Sequence, residues 1–387
     1  MLAKKEVGNA KLKEKDFEAA VIAYQEAVDL CTPAMAEAGA AVHSNLSLAT
    51  LKLGNAEEAL TAADAAIAGR PKWEKGHFRR GEALFALRRY DEAEKAYASG
   101  LECKPTDADL SFAKKLAAEA SKGGVWFRQI SPGRDVAISP TSQLESLVFG
   151  AAKQMRNFIY LVGCAATREC YCFDPAWDTR GLAGVAERHK MRLVGAMGTH
   201  FHFDHIGGTV PAQLASMVYG PFGKPKDGDG TMVGLREMKT DYGCKLYAQS
   251  TEVAMIAKQI NVSESELTPL EQGTVLPLGT AGKLVIMHTP GHSYGSICIH
   301  VQPAASSGEQ LILSGDTIFP GSCGRLDFEQ SSKDSMFETL QKLRTLDDNI
   351  KVYPGHGYSG DWTTIGKEKA QGLLRPFTKE MFKQMFG

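Results

Sequence analysis

Thr199-His200-Phe201-His202-Phe203-Asp204-His205-Ile206-Gly207-Gly208 is the stretch around which the rest of the chain can be read. It places three of the chain's 10 histidines and one aspartate within six residues. His200 and His202 are two apart, so on an extended backbone they point to the same side. Asp204 and His205 follow at once and must point elsewhere, which suits a second metal beside the first. Neutral imidazoles and a carboxylate are the ligands taken by zinc and other borderline first-row ions. The plain alternative is a His-rich surface loop, and ligands elsewhere in the chain decide between the two.

At 387 residues the chain exceeds one ordinary domain, so two are expected. A hydrophobic share of 43% with 23% charged residues excludes a disordered chain. Lys and Arg number 44 against 45 Asp and Glu, and this near-balance offers nothing to nucleic acid or an anionic membrane. No run reaches the roughly 18 apolar residues of a membrane span. Met1 to Asn9 has neither an apolar core nor a cleavage site, so no secretory signal is expected. The eight cysteines are scattered without a Cys-x-x-Cys pair and read as reduced thiols. A cytoplasmic enzyme is the resulting expectation.

Residues 1 to about 120 are rich in Ala, Lys, Glu and Leu, without strand-like alternation. Ala59, Ala66 and Pro71 recur as Ala93, Gly100 and Pro105, a shift of 34 positions. An earlier copy contains Gly8, Ala20, Tyr24, Ala27 and Pro33. Small residues let two helices of a pair approach closely, and Tyr24 and Tyr97 are expected to fill the space between pairs. Pro71 and Pro105 end the second helix of a pair. The pattern resembles the tetratricopeptide repeat, with three copies and a trailing helix from Thr106 to Ser121. Such arrays form a binding groove. Lys5, Asn9, Asn45, Lys75 and Arg79 match the carboxylate clamp of chaperone-binding members. The resemblance implies docking of heat-shock chaperone C-terminal peptides ending Glu-Glu-Val-Asp, with cations and amides converging on a doubly anionic chain end.

Ser121-Lys122-Gly123-Gly124 reads as the seam, giving expected domains of 1–121 and 122–387. Beyond it, Asn157 to Cys164 and Cys170 to Phe173 read as buried strands, the second ending in Asp174-Pro175. Arg180 to Lys190 reads as an amphipathic helix, and Arg192 to Met197 as the strand delivering His200. The turn-rich centre of an insertion from Pro211 to Asp241, Gly220 to Gly230, reads as a lid or a surface excursion. The missing ligands then arrive in order. Thr289-Pro290-Gly291-His292 sets His292 on a Pro-Gly turn, Leu311 to Asp316 is a buried strand ending in a carboxylate, and Pro354-Gly355-His356 repeats the first device. His43, His77, His189, His288 and His300 lack such a setting and read as surface or packing histidines.

His-x-His-x-Asp-His, Thr-Pro-Gly-His, Gly-Asp and Pro-Gly-His-Gly, in that order, resemble the metallo-β-lactamase fold from about Trp126 onward. The resemblance implies an α+β multidomain chain: an all-α repeat array followed by an αββα sandwich. It implies two divalent ions, zinc the first choice and iron or manganese the others. His200, His202 and His292 would hold one ion, Asp204, His205 and His356 the second, and Asp316 would bridge. Asp204 and Asp316 are thereby the carboxylates assigned to catalysis. The bridging aspartate argues against a true β-lactamase, and the charge balance against a nuclease.

Gly315-Asp316-Thr317-Ile318-Phe319 and the segment after it resemble the glyoxalase II group, the hydroxyacylglutathione hydrolases, which implies thioester hydrolysis. Gly387 lies 31 residues past His356, so the C-terminal helical domain that holds glutathione in longer members is not expected. Where those members have Cys-Gly-Lys-x-Tyr, this chain has Cys323-Gly324-Arg325-Leu326-Asp327. Cys-Gly-Arg-x-Asp-Phe also occurs in the related mononuclear-iron persulfide dioxygenases, a second reading; a chaperone-associated adaptor with a structural metal domain is a third. Arg325, Tyr294 and Tyr358 are candidates for gripping the substrate, against an ion pair for Arg325 and packing for the tyrosines. Asp174 is a candidate partner for a ligand imidazole.

Overall fold

The structure, a computed structural model, describes residues 1–220 and 232–386. Its contacts divide into one unit of Met1–Gly123 and a second of Gly124–Gly387. The division falls between two glycines that both take positive φ, +68° and +86°.

The first unit is helical throughout: α1 Leu2–Lys13, α2 Phe17–Asp29, α3 Ala36–Lys52, α4 Ala56–Gly69, α5 Glu74–Ala86, α6 Tyr90–Cys103 and α7 Ala108–Lys122. Consecutive helices pack on one another. Asp16 and Asp107 cap α2 and α7 by accepting from the amides of Ala19 and Leu110. The Asp107 cap is why α7 begins two residues later than its sequence pattern suggests. Each tyrosine packs within its own pair and toward the next: a methyl group on Gly8 would meet the Tyr24 ring at 2.5 Å, and one on Gly81 the Tyr97 ring at 2.3 Å. Tyr24 also shares a buried cluster with Val42, Leu46 and Ala49 of α3, and Tyr97 one with Leu110 and Ala113 of α7. Buried alanines such as Ala20, Ala27, Ala59 and Ala93 complete these close contacts.

The second unit is a sandwich of two sheets, six-stranded among the described residues. The first runs β1 Val125–Ile130, β2 Ile159–Cys164, β3 Glu169–Phe173, β4 Arg192–Met197, β5 Lys245–Gln249 and β6 Leu267–Leu270, in that spatial order. Its first three strands are antiparallel and β3 to β6 are parallel. The second sheet contains β7 Val275–Pro277, β8 Gly282–His288, β9 Ile297–Pro303, β10 Leu311–Gly315, β11 Lys351–Pro354 and β12 Thr363–Thr364, again in sequence order. Only β10 and β11 are parallel there.

Three apolar layers result. Tyr160, Val162 and Phe173 of the first sheet meet Leu284, Ile299 and Leu313 of the second. On the first sheet's outer face, Leu161, Cys172 and Ala196 pack with the helices Thr179–Arg188, Leu235–Thr240 and Val253–Ile260. On the second sheet's outer face, Ile312 and Val352 pack with Met336, Leu340 and Phe382 from the helices Lys333–Leu343 and Lys379–Met385. Strands covered on both faces need apolar residues on both, and β2 and β10 are accordingly buried along their whole length. All eight cysteines are free, and those of β2, β3 and β9 pack in these layers.

The segment after β4 leaves the sheet through Gly207 and Gly208. Gly208 has φ +84°, exchanges backbone hydrogen bonds with Met232, and lies so close to Gln259 that a Cβ would sit 2.1 Å from its carbonyl oxygen. Gly208→Ala is therefore expected to destabilise the second unit by on the order of 3 kcal/mol. An unchanged urea midpoint would contradict this.

Candidate metal centre

The parallel pairing of β3 with β4 puts Phe173 opposite Met197, so Asp174 and Thr199 leave the sheet side by side. Asp174 accepts from the Thr199 amide at 2.6 Å and from the Thr199 hydroxyl at 2.9 Å. With its proton given to Asp174, the hydroxyl presents a lone pair to His200 Nδ1, 3.1 Å away. Asp174 also accepts from His205 Nδ1 at 2.9 Å. One carboxylate thus orients two of the imidazoles.

His292 and His356 are fixed in the same manner by backbone carbonyls. His292 Nδ1 donates to Arg325 at 2.8 Å, and His356 Nδ1 to Met155 at 2.7 Å. With the outer nitrogens committed as donors, the inner ones keep lone pairs, and they converge. His202 Nδ1 lies 3.0 Å from both His200 Nε2 and His292 Nε2, and His205 Nε2 lies 3.2 Å from His356 Nε2. Asp316 stands between the two sets: Oδ2 is 3.5 Å from His292 Nε2 and 3.6 Å from His356 Nε2, while Oδ1 is 3.5 Å from His205 Nε2. Oδ1 is buried without a hydrogen-bond partner. Gly355 makes this approach fit, since a Cβ there would strike Asp316 Oδ1 at 2.4 Å.

Three sets of ligand atoms, each lying within 4.8 Å of one another, could hold an ion: His200, His202 and His292; His200, His205 and Asp316; Asp204, His205 and His356. Facing lone pairs beside an orphaned carboxylate oxygen fit divalent cations better than any network of hydrogen bonds. His200, His202, Asp204 and His205 follow β4 of the first sheet; His292, Asp316 and His356 follow β8, β10 and β11 of the second.

The electrostatics of the metal-free site agree. Burial, reinforced by neighbouring imidazoles, pushes His200 well down and His202 to about 4, keeping both neutral. Burial pushes Asp204 up, but His205, His356 and His202 outweigh it and leave the carboxyl at about 2. Burial opposes a charge on His205, yet Asp204, Asp316 and Asp174 together hold it up at about 10. The site calls for positive charge, and without ions a proton on His205 supplies it.

Of the substrate candidates, Arg325 is committed elsewhere. It forms a two-pronged ion pair with Asp327 at 2.6 and 2.9 Å and stacks over Phe328 at 4.6 Å. The Tyr294 hydroxyl donates to the Glu329 carbonyl at 3.0 Å. Tyr358 is half exposed and stacks on His356, 4.6 Å away with the rings 10° apart. Phe328 lies edge-on to His202 and Phe319 edge-on to His356, two aromatic walls that sequence reading missed. Asn157 and Trp177 were missed too: the Asn157 amide donates to Asp204 at 2.9 Å and accepts from the Trp177 indole at 3.1 Å. A lone amide at the head of an apolar strand carries no spacing signal. Residues 221–230, and with them the lid reading, lie outside the described residues.

In the helical unit the structure joins two of the five clamp candidates. Asn45 Nδ2 donates to Asn9 Oδ1 at 2.9 Å, which also accepts from the Tyr24 hydroxyl at 2.8 Å. Arg79 is partly buried with Nε unpartnered, and burial lowers its pKa.

The model of the metallo-beta-lactamase superfamily matches residues 156–356, and that of the tetratricopeptide repeat residues 74–107. An uncharacterized protein of Mycobacterium leprae is 31% identical over 216 residues, 54% of this chain and 89% of that one. A hydroxyacylglutathione hydrolase of Rhodospirillum rubrum is 30% identical over 203 residues, 52% of this chain and 63% of that one. The crystal structure of a metallo-beta-lactamase from Staphylococcus aureus subsp. aureus COL aligns with a TM-score of 0.50 at 21% identity, covering 68% of this chain and 67% of that one. The likeness extends to the sandwich fold.

Metal analysis is expected to find two divalent ions per chain, and fewer than two in Asp316→Ala. Full loading of that variant would remove Asp316 from the centre.

Proposed function

The chain belongs to the metallo-beta-lactamase superfamily and carries tetratricopeptide repeats, and from that premise we propose a dinuclear metal-dependent thioester hydrolase. The observation that carries this reading is the convergence of inner imidazole nitrogens on either side of Asp316. Divalent ions, zinc by the ligand chemistry, held by His200, His202 and His292 and by Asp204, His205 and His356 would supply a water acidified to near pH 7 and an electrophile for a carbonyl.

The chain's own groups do the remaining work. Asp174, Thr199 and the carbonyls of Met155 and Arg325 hold the outer nitrogens of His200, His205, His292 and His356, which leaves their inner nitrogens to face the ions. Burial of His200, His205, His292 and His356 excludes bulk water and strengthens the electrostatics. Phe328, edge-on to His202, and Tyr358, stacked on His356, place apolar surface beside the two ligand sets for the organic part of a substrate. A thioester suits such a place because a thiolate departs without a general acid. The name of the Rhodospirillum rubrum relative supports a hydroxyacylglutathione-like substrate. The adaptor reading gives no reason for seven converging ligands, six of them buried, and the persulfide dioxygenase reading would use only three of them.

With the helical unit, we propose, the enzyme docks acidic chaperone C-termini. The Asn9–Asn45 contact, which brings two of the five clamp positions together, and the unpartnered Arg79 Nε support this.

Two experiments test these readings. The zinc-loaded protein is expected to hydrolyse lactoylglutathione or a related acyl-glutathione, and His292→Ala to lose at least a hundredfold in kcat/KM. Two bound ions without turnover of any acyl-glutathione would refute the thioesterase. Calorimetry with a peptide ending Glu-Glu-Val-Asp is expected to show binding that weakens roughly tenfold or more in Lys75→Ala or Arg79→Ala. Equal affinity in the variants would refute the clamp.

A further inference from the structure

Asp204 differs from the other ligands in how it is held. Its Oδ2 faces the imidazoles, 3.4 Å from His356 Nε2 and 3.6 Å from His205 Nε2. That same oxygen accepts from Asn157 Nδ2 at 2.9 Å. An asparagine amide can turn over and offer its oxygen instead, which would set two acceptors against each other. Trp177 prevents this. Indole has a donor and no acceptor, so its Nε1–H, 3.1 Å from Asn157 Oδ1, fixes the oxygen on the tryptophan side and the NH2 on the Asp204 side. Asn157 and Trp177 are each 1% exposed, so water does not compete for these bonds.

The tryptophan is itself held in place at some cost. Its backbone has φ +79°, in the left-handed region that side chains disfavour, three residues after Asp174 at φ +55°. Asp178 next to it caps the helix Thr179–Arg188 by accepting from Gly181, and also accepts from the amide of Ala137. The indole lies edge-on to Phe203, between ligands His202 and Asp204, in a pocket with Ala151, Ala152 and Val218. The loop from Asp174 to Asp178 therefore reaches the ligand segment twice: through Asp174 at His205, and through Trp177 and Asn157 at Asp204.

We propose that Trp177 is a positioning residue for the ion held by Asp204, His205 and His356, acting through Asn157. The inference rests on the two-ion reading above. The indole N–H keeps the amide donating to Asp204, and the amide keeps the carboxylate oxygen turned toward the imidazoles. The ion at His200, His202 and His292 does not depend on this chain of bonds.

The full-length protein, loaded with zinc, is titrated with a competing chelator to give the affinity of each ion. Wild type is compared with Trp177→Phe, which keeps a ring against Phe203 and removes the N–H, with Asn157→Ala, and with the double variant. Trp177→Phe is expected to weaken one ion about tenfold or more and leave the other unchanged. The double variant should match Asn157→Ala alone, because one bond acts through the other. A residue that merely packs would give additive losses, or would lower the melting temperature of the metal-free protein without changing either affinity. Additive losses, equal weakening of both ions, or no weakening overturns the proposal. Two ions in wild type with unchanged variants overturns it alone; a wild type that binds none overturns the two-ion reading with it.

Discussion

Lone pairs held face to face, out of reach of water, are the constraint on which the second unit depends. For His200, His205, His292 and His356, a threonine hydroxyl, a carboxylate or a carbonyl consumes the outer nitrogen as the inner one is turned to the centre. What remains at the centre is acceptor against acceptor, with two carboxylates among them. Apolar packing alone would not assemble such a cluster, since neither hydrogen bonding nor burial rewards it. Cations at this centre would in that sense be part of the fold. A proton on His205 would be a weak substitute for divalent ions beside Asp316.

Much of this was legible because chemistry and backbone shape are written in the same residues. His200 and His202, two apart at the end of an apolar strand, share a side by strand geometry alone. His292 and His356 come with their Pro-Gly turns, and Asp316 with the glycine that lets β10 end sharply. What the sequence concealed has no period and no partner nearby in the chain. Asn157 reaches Asp204 across 47 positions, and Trp177 reaches Asn157 across 20. Phe328 and Phe319 are aromatic walls only once the loops that carry them are folded. Arg325 could be read two ways, and its ion pair with Asp327 is the simpler one.

The helical unit shows the same divide. Its 34-residue spacing and proline stops announce the architecture, since each helix pair repeats one local solution. The pairing of Tyr24 with Gly8 and of Tyr97 with Gly81 depends on which helix the ring leans toward, and spacing does not encode that direction. A glycine facing a tyrosine across the pair is a lock-and-slot arrangement, readable afterwards from either partner.

Each set of three ligands draws two from the segment after β4 in one sheet and one from a loop of the other. An ion in either place is consequently a rivet through both leaves of the sandwich at a single edge. Elsewhere the leaves are held by close-packed apolar side chains, whose contacts have no fixed direction; at the rivets the ligand directions themselves would set the register. A chain starved of metal would keep its long apolar seam and, at that edge, the backbone hydrogen bonds from Phe158 to Gly355, Gly357 to Arg156 and Ile297 to Thr199. Losing the ions would therefore loosen the Pro-Gly turns of His292 and His356 before it opened the seam.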